Sequence, residues 1–302
     1  MHQTNLIDRA NYMIPRWHFE MLHDFARNAA IEAAIASSDV GGKIVVEIGT
    51  EAGLPALLFA KYGAKRVFTC EVNEQIANVA RKIIQKNNFQ DRIVVISKSS
   101  RQAIVDSDLP SAPDIIFTET LDCGVVGEGY ETIARDVRQI AGPGTIVMPD
   151  RIQQFGFLCA DETAFERNSV FNQCGFDFSM FNTFSEKSYF PVNQMVHDPI
   201  RISSLILLKI FDYMNPSTSD VVDHKILICR SGLCHGITSY FDAYFGKFLV
   251  TSRGLTSHWA AAFHPLREPM LVESGQYYQL RVDKTGLIEL NRPGFDLRIT
   301  HK

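Results

Sequence analysis

The sequence has no long apolar run. Its longest candidate, Ile202–Phe211, is interrupted by Ser203, Ser204 and Lys209 and falls well short of the roughly 20 residues a spanning helix needs. No CxxC pair occurs. Six cysteines are scattered through 302 residues, and the only close pair, Cys229 and Cys234, lacks zinc-ligand partners at suitable spacing, so no metal is expected and the thiols read as reduced. There is no basic excess either: 30 Lys and Arg face 34 Asp and Glu, a net charge of −4. That argues against a broad nucleic-acid surface and is compatible with a cationic ligand. Internal repeats and low-complexity tracts are missing. The opening residues, MHQTNLIDRA, lack the basic-then-apolar layout of a secretory signal, so a cytoplasmic, membrane-free protein is expected. What remains, 46% hydrophobic and 21% charged, is an ordinary globular composition long enough for two domains.

The two halves follow different grammars. Up to Met148, short β-branched runs (Lys43–Ile48, Arg66–Cys70, Ile93–Ile96, Asp114–Thr118, Gly144–Met148) alternate with helical patterns. Asn73–Lys86 places Ile76, Val79, Ala80, Ile83 and Ile84 on one helical face, and an Ala-rich helix is predicted over Phe19–Ser37. Strand and helix in alternation predict a parallel sheet with right-handed crossovers. After Pro149-Asp150 the runs Ser203–Phe211, Lys225–Cys229, Ile237–Phe245 and Tyr277–Val282 are separated by turn residues, which predicts an antiparallel β-barrel or sandwich. The expected division is a helical segment over 1–40, a cofactor domain over 41–148 and a β-domain over 149–302. Within the last, Glu162–Phe190 carries seven phenylalanines, the profile of a protruding arm at about 162–195 whose aromatics need a partner surface.

The first strand runs into Glu47-Ile-Gly49-Thr-Glu51-Ala-Gly53-Leu-Pro55, and Glu71 ends the next strand 22 residues after Gly49. Strand, glycine turn and helix, with an acid about 20 residues on, is the layout of a nucleotide or nucleoside site. The loop lacks GxGxxG and a Lys-Ser/Thr pair, so pyrophosphate and triphosphate ligands are poorly served. Glu47 offers an acceptor for an amine. A ribose, an adenine and a cationic amino-acid tail without phosphate describe S-adenosylmethionine. Glu51 stands where such loops usually have glycine.

The fourth strand ends in Thr118-Glu119-Thr-Leu-Asp122-Cys-Gly124-Val-Val-Gly127-Glu128-Gly-Tyr130, with Glu128 nine residues after Glu119 and two glycines between to fold the loop back. Ligands of open α/β sheets bind beyond such strand ends. Two carboxylates in one pocket raise each other's pKa, and a cation between them removes that penalty. A planar guanidinium with five donors suits the clamp better than an ammonium.

These residues resemble the double-glutamate loop of the protein arginine N-methyltransferase family, with wording closest to its monomethylating branch. The resemblance spans roughly residues 15–302. Met21-Leu-His-Asp24-Phe-Ala-Arg27 resembles the family's helix ahead of the first strand, and Pro149-Asp150-Arg151 its linker into the barrel. Gly175-Phe176-Asp177-Phe178 resembles part of its dimerisation arm, and Thr256-Ser257-His258-Trp259 its Thr-His-Trp motif with serine replacing threonine. The resemblance implies a Rossmann-like S-adenosylmethionine-dependent methyltransferase domain followed by an antiparallel β-barrel, assembled as a homodimer. It implies that Glu119, Glu128 and His258 are catalytic and that Met21, Tyr130 and Trp259 contact substrate. Arg27 is expected to bind the cofactor carboxylate, with Glu47, Gly49, Gly53, Glu71, Ser99 and Ser100 completing the cofactor site.

The expected reaction is in-line displacement at the sulfonium methyl by a guanidino nitrogen, the two glutamates fixing the guanidinium plane and His258, paired with Asp242, removing the proton late. Free L-arginine, giving N-omega-methyl-L-arginine, is the preferred acceptor. Peptidyl arginine and a catalytically silent cofactor-binding dimer are the alternatives. Amide or nucleobase methylation is disfavoured, because Glu119-Thr-Leu-Asp122 is not the Asn/Asp-Pro-Pro-Tyr pattern such enzymes carry. Tyr130, two residues after the second glutamate, is expected to crowd the site and stop the reaction after one methyl. Arg101-Gln102 departs from the acidic residue many relatives have near the adenine amine.

Overall fold

The computed structural model describes residues 14–216, 219–254 and 256–292; the first 13 residues of the expected N-terminal segment lie outside them. Two short helices come first, α1 (Trp17–Leu22) and α2 (Phe25–Ser37), where one continuous helix was expected. The break lies at Asp24, whose backbone leaves helical space (φ −76°, ψ 82°) while its side chain accepts from the Arg27 amide at 3.0 Å. An aspartate capping a new helix competes well with helix continuation.

There follow β1 (Ile44–Ile48), α3 (Leu54–Lys61), β2 (Arg66–Cys70), α4 (Glu74–Lys86), β3 (Ile93–Ile96), α5 (Ser100–Val105), β4 (Ile115–Thr118), α6 (Tyr130–Ile140) and β5 (Ile146–Met148). All five strands pair in parallel in the order β3-β2-β1-β4-β5, so the strands expected from the sequence are all present. Val45, Val46, Ile115, Ile116 and Phe117 are buried because helices cover both faces of the central pair. The order reverses beside β1, between β2 and β4, and puts the carboxyl ends of β1 and β4 side by side. Helix α4 is rotated from the expected face: Ala77, Ala80 and Ile84 are buried, whereas Val79 is exposed. Small side chains at 77 and 80 let the helix approach closely, and Ala80 and Ile84 pack within 4 Å of the position a Gly53 Cβ would take.

The β-domain begins with β6 (Arg151–Ala160), which the sequence pattern did not single out. Its inward positions are Ile152, Gln154, Gly156 and Leu158, a period of two that its polar and glycine members disguise. The arm follows: α7 (Glu162–Glu166), the hairpin β7 (Asn172–Gln173) with β8 (Phe176–Asp177), and a 3-10 turn at Ser179–Phe184. Phe171, Phe176, Phe178, Met180, Phe181 and Phe184 are exposed along it. The remaining strands are β9 (Phe190–Val192), β10 (Ile200–Arg201), β11 (Ile206–Phe211), β12 (Val221–Leu227), β13 (Gly232–Phe245), β14 (Phe248–Thr251), β15 (Ala261–Val272), β16 (Tyr277–Asp283) and β17 (Ile288–Asn291).

A seven-stranded antiparallel sheet, ordered β10-β6-β13-β15-β9 with β11 and β14 alongside, faces the three-stranded β12-β16-β17 sheet. Leu158, Ile237, Leu266, Ile226 and Leu280 fill the space between. A second core runs unbroken from Val45, Phe59 and Phe117 through Ile152, Phe241 and Phe245 to Trp259, and so locks the parallel sheet onto the barrel. At a bulge in β13, a Cβ on Gly236 would run into the carbonyl oxygen of His264 on β15. Gly236→Ala should therefore lower the melting temperature by about 5 °C or more, read by calorimetry.

Candidate active site

Glu119 follows the last residue of β4, and the loop it opens is pinned from three sides. The Trp259 indole N–H donates to the Leu121 carbonyl at 2.6 Å, and Gln154 on β6 donates to the Gly124 carbonyl at 3.4 Å. Asp122 accepts from the Gly127 amide at 3.0 Å and from the Tyr189 hydroxyl at 2.9 Å. The Tyr189 ring fills the space a Gly124 side chain would need, so that glycine is required by close approach. The fold-back brings Glu119 and Glu128 to one cavity of about 350 Å³, which Trp17, Met21, Glu51 and Cys123 also line. His258 and Trp259 form its barrel wall. A wider groove of about 610 Å³ shares Glu20, Pro191, His258 and Trp259 with it and leads outward past Gln194 and Thr256.

Several site residues have protein partners that the sequence did not predict. Arg27, expected at the cofactor carboxylate, also meets Glu119. Its Nε donates to Glu119 Oε1 at 2.8 Å and its Nη2 to Glu119 Oε2, a buried two-point ion pair, because the Asp24 cap sets the first turn of α2 facing the end of β4. His258 pairs with Asp24, not Asp242: its Nδ1 lies 3.0 Å from Asp24 Oδ2, and its backbone amide donates to the same oxygen at 3.1 Å. Asp242 is engaged by Thr251 at 2.6 Å and by Arg253. Burial works against ionised Asp24, but the hydrogen bonds from His258 and the Arg27 amide outweigh it and hold the carboxyl below its ordinary range.

Tyr130 does not face the cavity. As the first residue of α6 it packs into the core, its ring 5.0 Å from Phe211 and 4.9 Å from Tyr213, so it supplies no steric limit on methylation. The hydroxyls of Ser99 and Ser100 also have structural partners. Ser99 caps α5 by accepting from the Gln102 amide at 3.2 Å, and Ser100 donates to buried Asp136 at 2.6 Å. Arg101, in the segment where many relatives are expected to carry an acidic residue, pairs with Asp136 and Gln139.

The cofactor loop is tightly tied. The amides of Gly49 and Thr50 both donate to the Cys70 carbonyl at 3.0 Å. A Cβ on Gly49 (φ +94°) would meet Thr120 at 2.8 Å. Glu71 is gripped by the amides of Glu51 at 3.0 Å and Asn73 at 2.9 Å, which fixes its carboxylate at the end of β2 where ribose hydroxyls would arrive. Glu47 lies fully buried under the loop with neither oxygen in full hydrogen-bond geometry. Burial pushes its carboxyl up to about 8, tempered by nearby Thr69 and the Ala56 amide. A buried, unpartnered acid beneath a glycine cradle fits an amine-bearing nucleoside and not a phosphate.

The cavity is crowded with acid. Glu128, at its solvent-facing rim, is pushed up to about 7 by desolvation and by the charges of Asp122 and Glu119. Glu51 is raised well above its ordinary value by desolvation and by Glu119 and Glu128, against the pull of Arg27. Glu51, which the sequence marks only as standing in place of a glycine, turns to the cavity. Asp24 as the partner of His258 and Tyr189 as a pin of the loop are two positions the sequence reading missed, and only Asp24 carried a legible signal, its capping spacing to Arg27.

No protein-family model matches the chain. It is 31% identical over 274 residues to the Arginine N(omega)-methyltransferase of Streptomyces achromogenes subsp. streptozoticus, covering 89% of this chain and 76% of that one. The mouse protein arginine N-methyltransferase 9 is 33% identical over 128 residues, 42% of this chain and only 15% of its own length. Among solved structures, the Trypanosoma brucei PRMT1 enzyme-prozyme heterotetrameric complex with AdoHcy superposes with a TM-score of 0.75 at 22% identity, covering 90% of this chain and 89% of that one. With paired glutamates, a glutamate of the glycine loop and a barrel wall around one cavity, and a relative of this length and identity, the chain belongs to the S-adenosylmethionine-dependent arginine N-methyltransferases.

Proposed function

We propose that the protein methylates free L-arginine on a guanidino nitrogen, giving N-omega-methyl-L-arginine. The observation that carries this reading is the convergence of Glu119 and Glu128 on one cavity that the cofactor loop also reaches through Glu51. A cavity of about 350 Å³ suits a single guanidinium side chain. Glu20, which lines both this cavity and the outer groove, offers a carboxylate to an α-ammonium group. The Streptomyces relative, named for action on arginine itself, supports the same acceptor. Peptidyl arginine is the competing reading, favoured by the size of the outer groove at about 610 Å³.

S-adenosylmethionine supplies an electrophilic methyl on a sulfonium. Gly49 and Gly53 let the loop pack closely against Thr120 and α4; Glu71 would receive the ribose and Glu47 the amine, with the Arg27–Glu119 pair close to the donor's amino-acid end. Glu128 and Glu119 hold the guanidinium plane and draw its positive charge toward the nitrogens that do not react. With the donor bound, the arginine nitrogen would bond to the methyl as the S–C pair returned to sulfur, and the proton would then leave the methylated nitrogen. With Nδ1 of His258 facing Asp24, Nε2 is the nitrogen left to take that proton. The exposed phenylalanines of the arm are the surface on which a second copy of the chain packs.

Incubation with labelled cofactor should place label in free arginine as the monomethyl product. Label confined to a Gly-Arg-Gly peptide would replace this acceptor with peptidyl arginine. Glu119→Gln and Glu128→Gln should each lower kcat/KM for arginine by about a hundredfold or more in steady-state assays. Because the Glu128 carboxyl is raised to about 7, it is protonated below that pH and cannot hold a guanidinium. The KM for arginine at saturating cofactor should accordingly fall as pH rises from 6 to 8, a trend that Glu128→Gln flattens.

A further inference from the structure

Of the five carboxylates lining the cavity, Glu20, Glu51, Glu119, Asp122 and Glu128, Glu51 is the one that comes from the cofactor loop. It sits between Gly49 and Gly53 at φ +47°, a left-handed conformation that glycine adopts freely and other residues resist. Its amide is held by Glu71, yet its side chain turns into the cavity and not out to solvent. Arg27 is committed to Glu119 through two hydrogen bonds. Neither Glu51 nor Glu128 makes an ion pair among the described residues. Two cations meet in the reaction, the guanidinium and the sulfonium. Glu128 belongs to the loop that takes the first, and Glu51 to the loop that takes the second.

We propose that Glu51 is a specificity-determining residue for the methyl donor, its carboxylate facing the sulfonium and favouring the charged donor over the uncharged thioether that transfer leaves behind. The inference rests on the reading that the nucleoside lies along the Gly49–Gly53 loop. When the methyl moves, the S–C bonding pair stays on sulfur and the sulfonium becomes neutral, while the proton released from the arginine nitrogen passes to His258. Glu51 then faces a group with no charge, and its attraction for the nucleoside is lost at the moment the by-product must leave. Desolvation first, and then the charges of Glu119 and Glu128 against the pull of Arg27, hold the Glu51 carboxyl above its ordinary range; an arriving cation favours the ionised form, so the acid gives up its proton as the charged donor binds.

Titration calorimetry on the full chain with S-adenosylmethionine and with S-adenosylhomocysteine tests this. The wild type should prefer the sulfonium by about tenfold or more. Glu51→Gln, which keeps the shape and removes the charge, should bring the ratio of the two dissociation constants toward one, mainly by weakening the donor. Glu51→Gly, which relieves the left-handed backbone, should do the same and serves if the glutamine variant does not fold. A merely structural role would weaken both ligands alike and leave the ratio unchanged, which overturns the proposal. Wild-type protein that binds neither nucleoside overturns the cofactor reading itself, whereas equal binding of both overturns only the role of Glu51.

Discussion

Arg27 is the guanidinium around which the acids of this site are arranged. It comes from the first turn of a helix whose start is set by Asp24, and it reaches a glutamate 92 residues away at the end of β4. Without it, Glu119 would lie buried beside Glu51 and Glu128 with no countercharge, an arrangement that removal of one partner from a buried pair makes strongly unfavourable. The same Asp24 that starts the helix also holds His258 from the barrel. One capping residue therefore ties together the helix, the paired-glutamate loop and the barrel wall. That shared dependence explains why a break in an otherwise continuous Ala-rich helix is worth its lost hydrogen bonds.

The barrel acts as a jig for the loop of the neighbouring sheet. Its strands contribute Gln154 and, through the segment before β15, Trp259; the foot of the arm contributes Tyr189. Each meets the loop at a backbone carbonyl or at Asp122, and none at the glutamates themselves. The glutamates stay available because other atoms of the loop carry the fixing contacts. The unbroken core from Phe117 to Trp259 makes this stiff, since a shift of the barrel would have to open close-packed apolar surface.

Much of this was legible in the sequence. The five parallel strands are short, continuously apolar and bounded by turn residues, a pattern few other folds produce. The glutamates, the glycines between them and the nucleoside loop follow from strand ends and spacing. What escaped has physical reasons. Strand β6 hides its period behind Gln154 and Gly156, which are inward because Gln154 reaches the loop carbonyl and Gly156 makes room for Leu208 and Ile237. Tyr130 follows the second glutamate closely in sequence, but the turn into α6 directs its ring to the core. The choice between Asp24 and Asp242 as the partner of His258 depends on how two distant segments pack, and no local pattern encodes that.

The acids also set a tension between stability and binding. Glu47 and Glu128 hold their protons to about 8 and about 7 in the folded chain, well above where the unfolded chain releases them. Between the ordinary carboxylate range and those values the folded state binds more protons than the unfolded one, so these groups make the fold less stable as pH rises through that window. A cation entering the cavity opposes this at Glu128, because it favours the ionised acid and offsets the repulsion from Glu119. The site is thus weakest where it is most anionic and empty, and strongest when it holds the positive groups its reaction brings together. A pocket lined by Glu20, Glu51, Glu119, Asp122 and Glu128 favours positive ligands, which suits a methyl transfer between two cations.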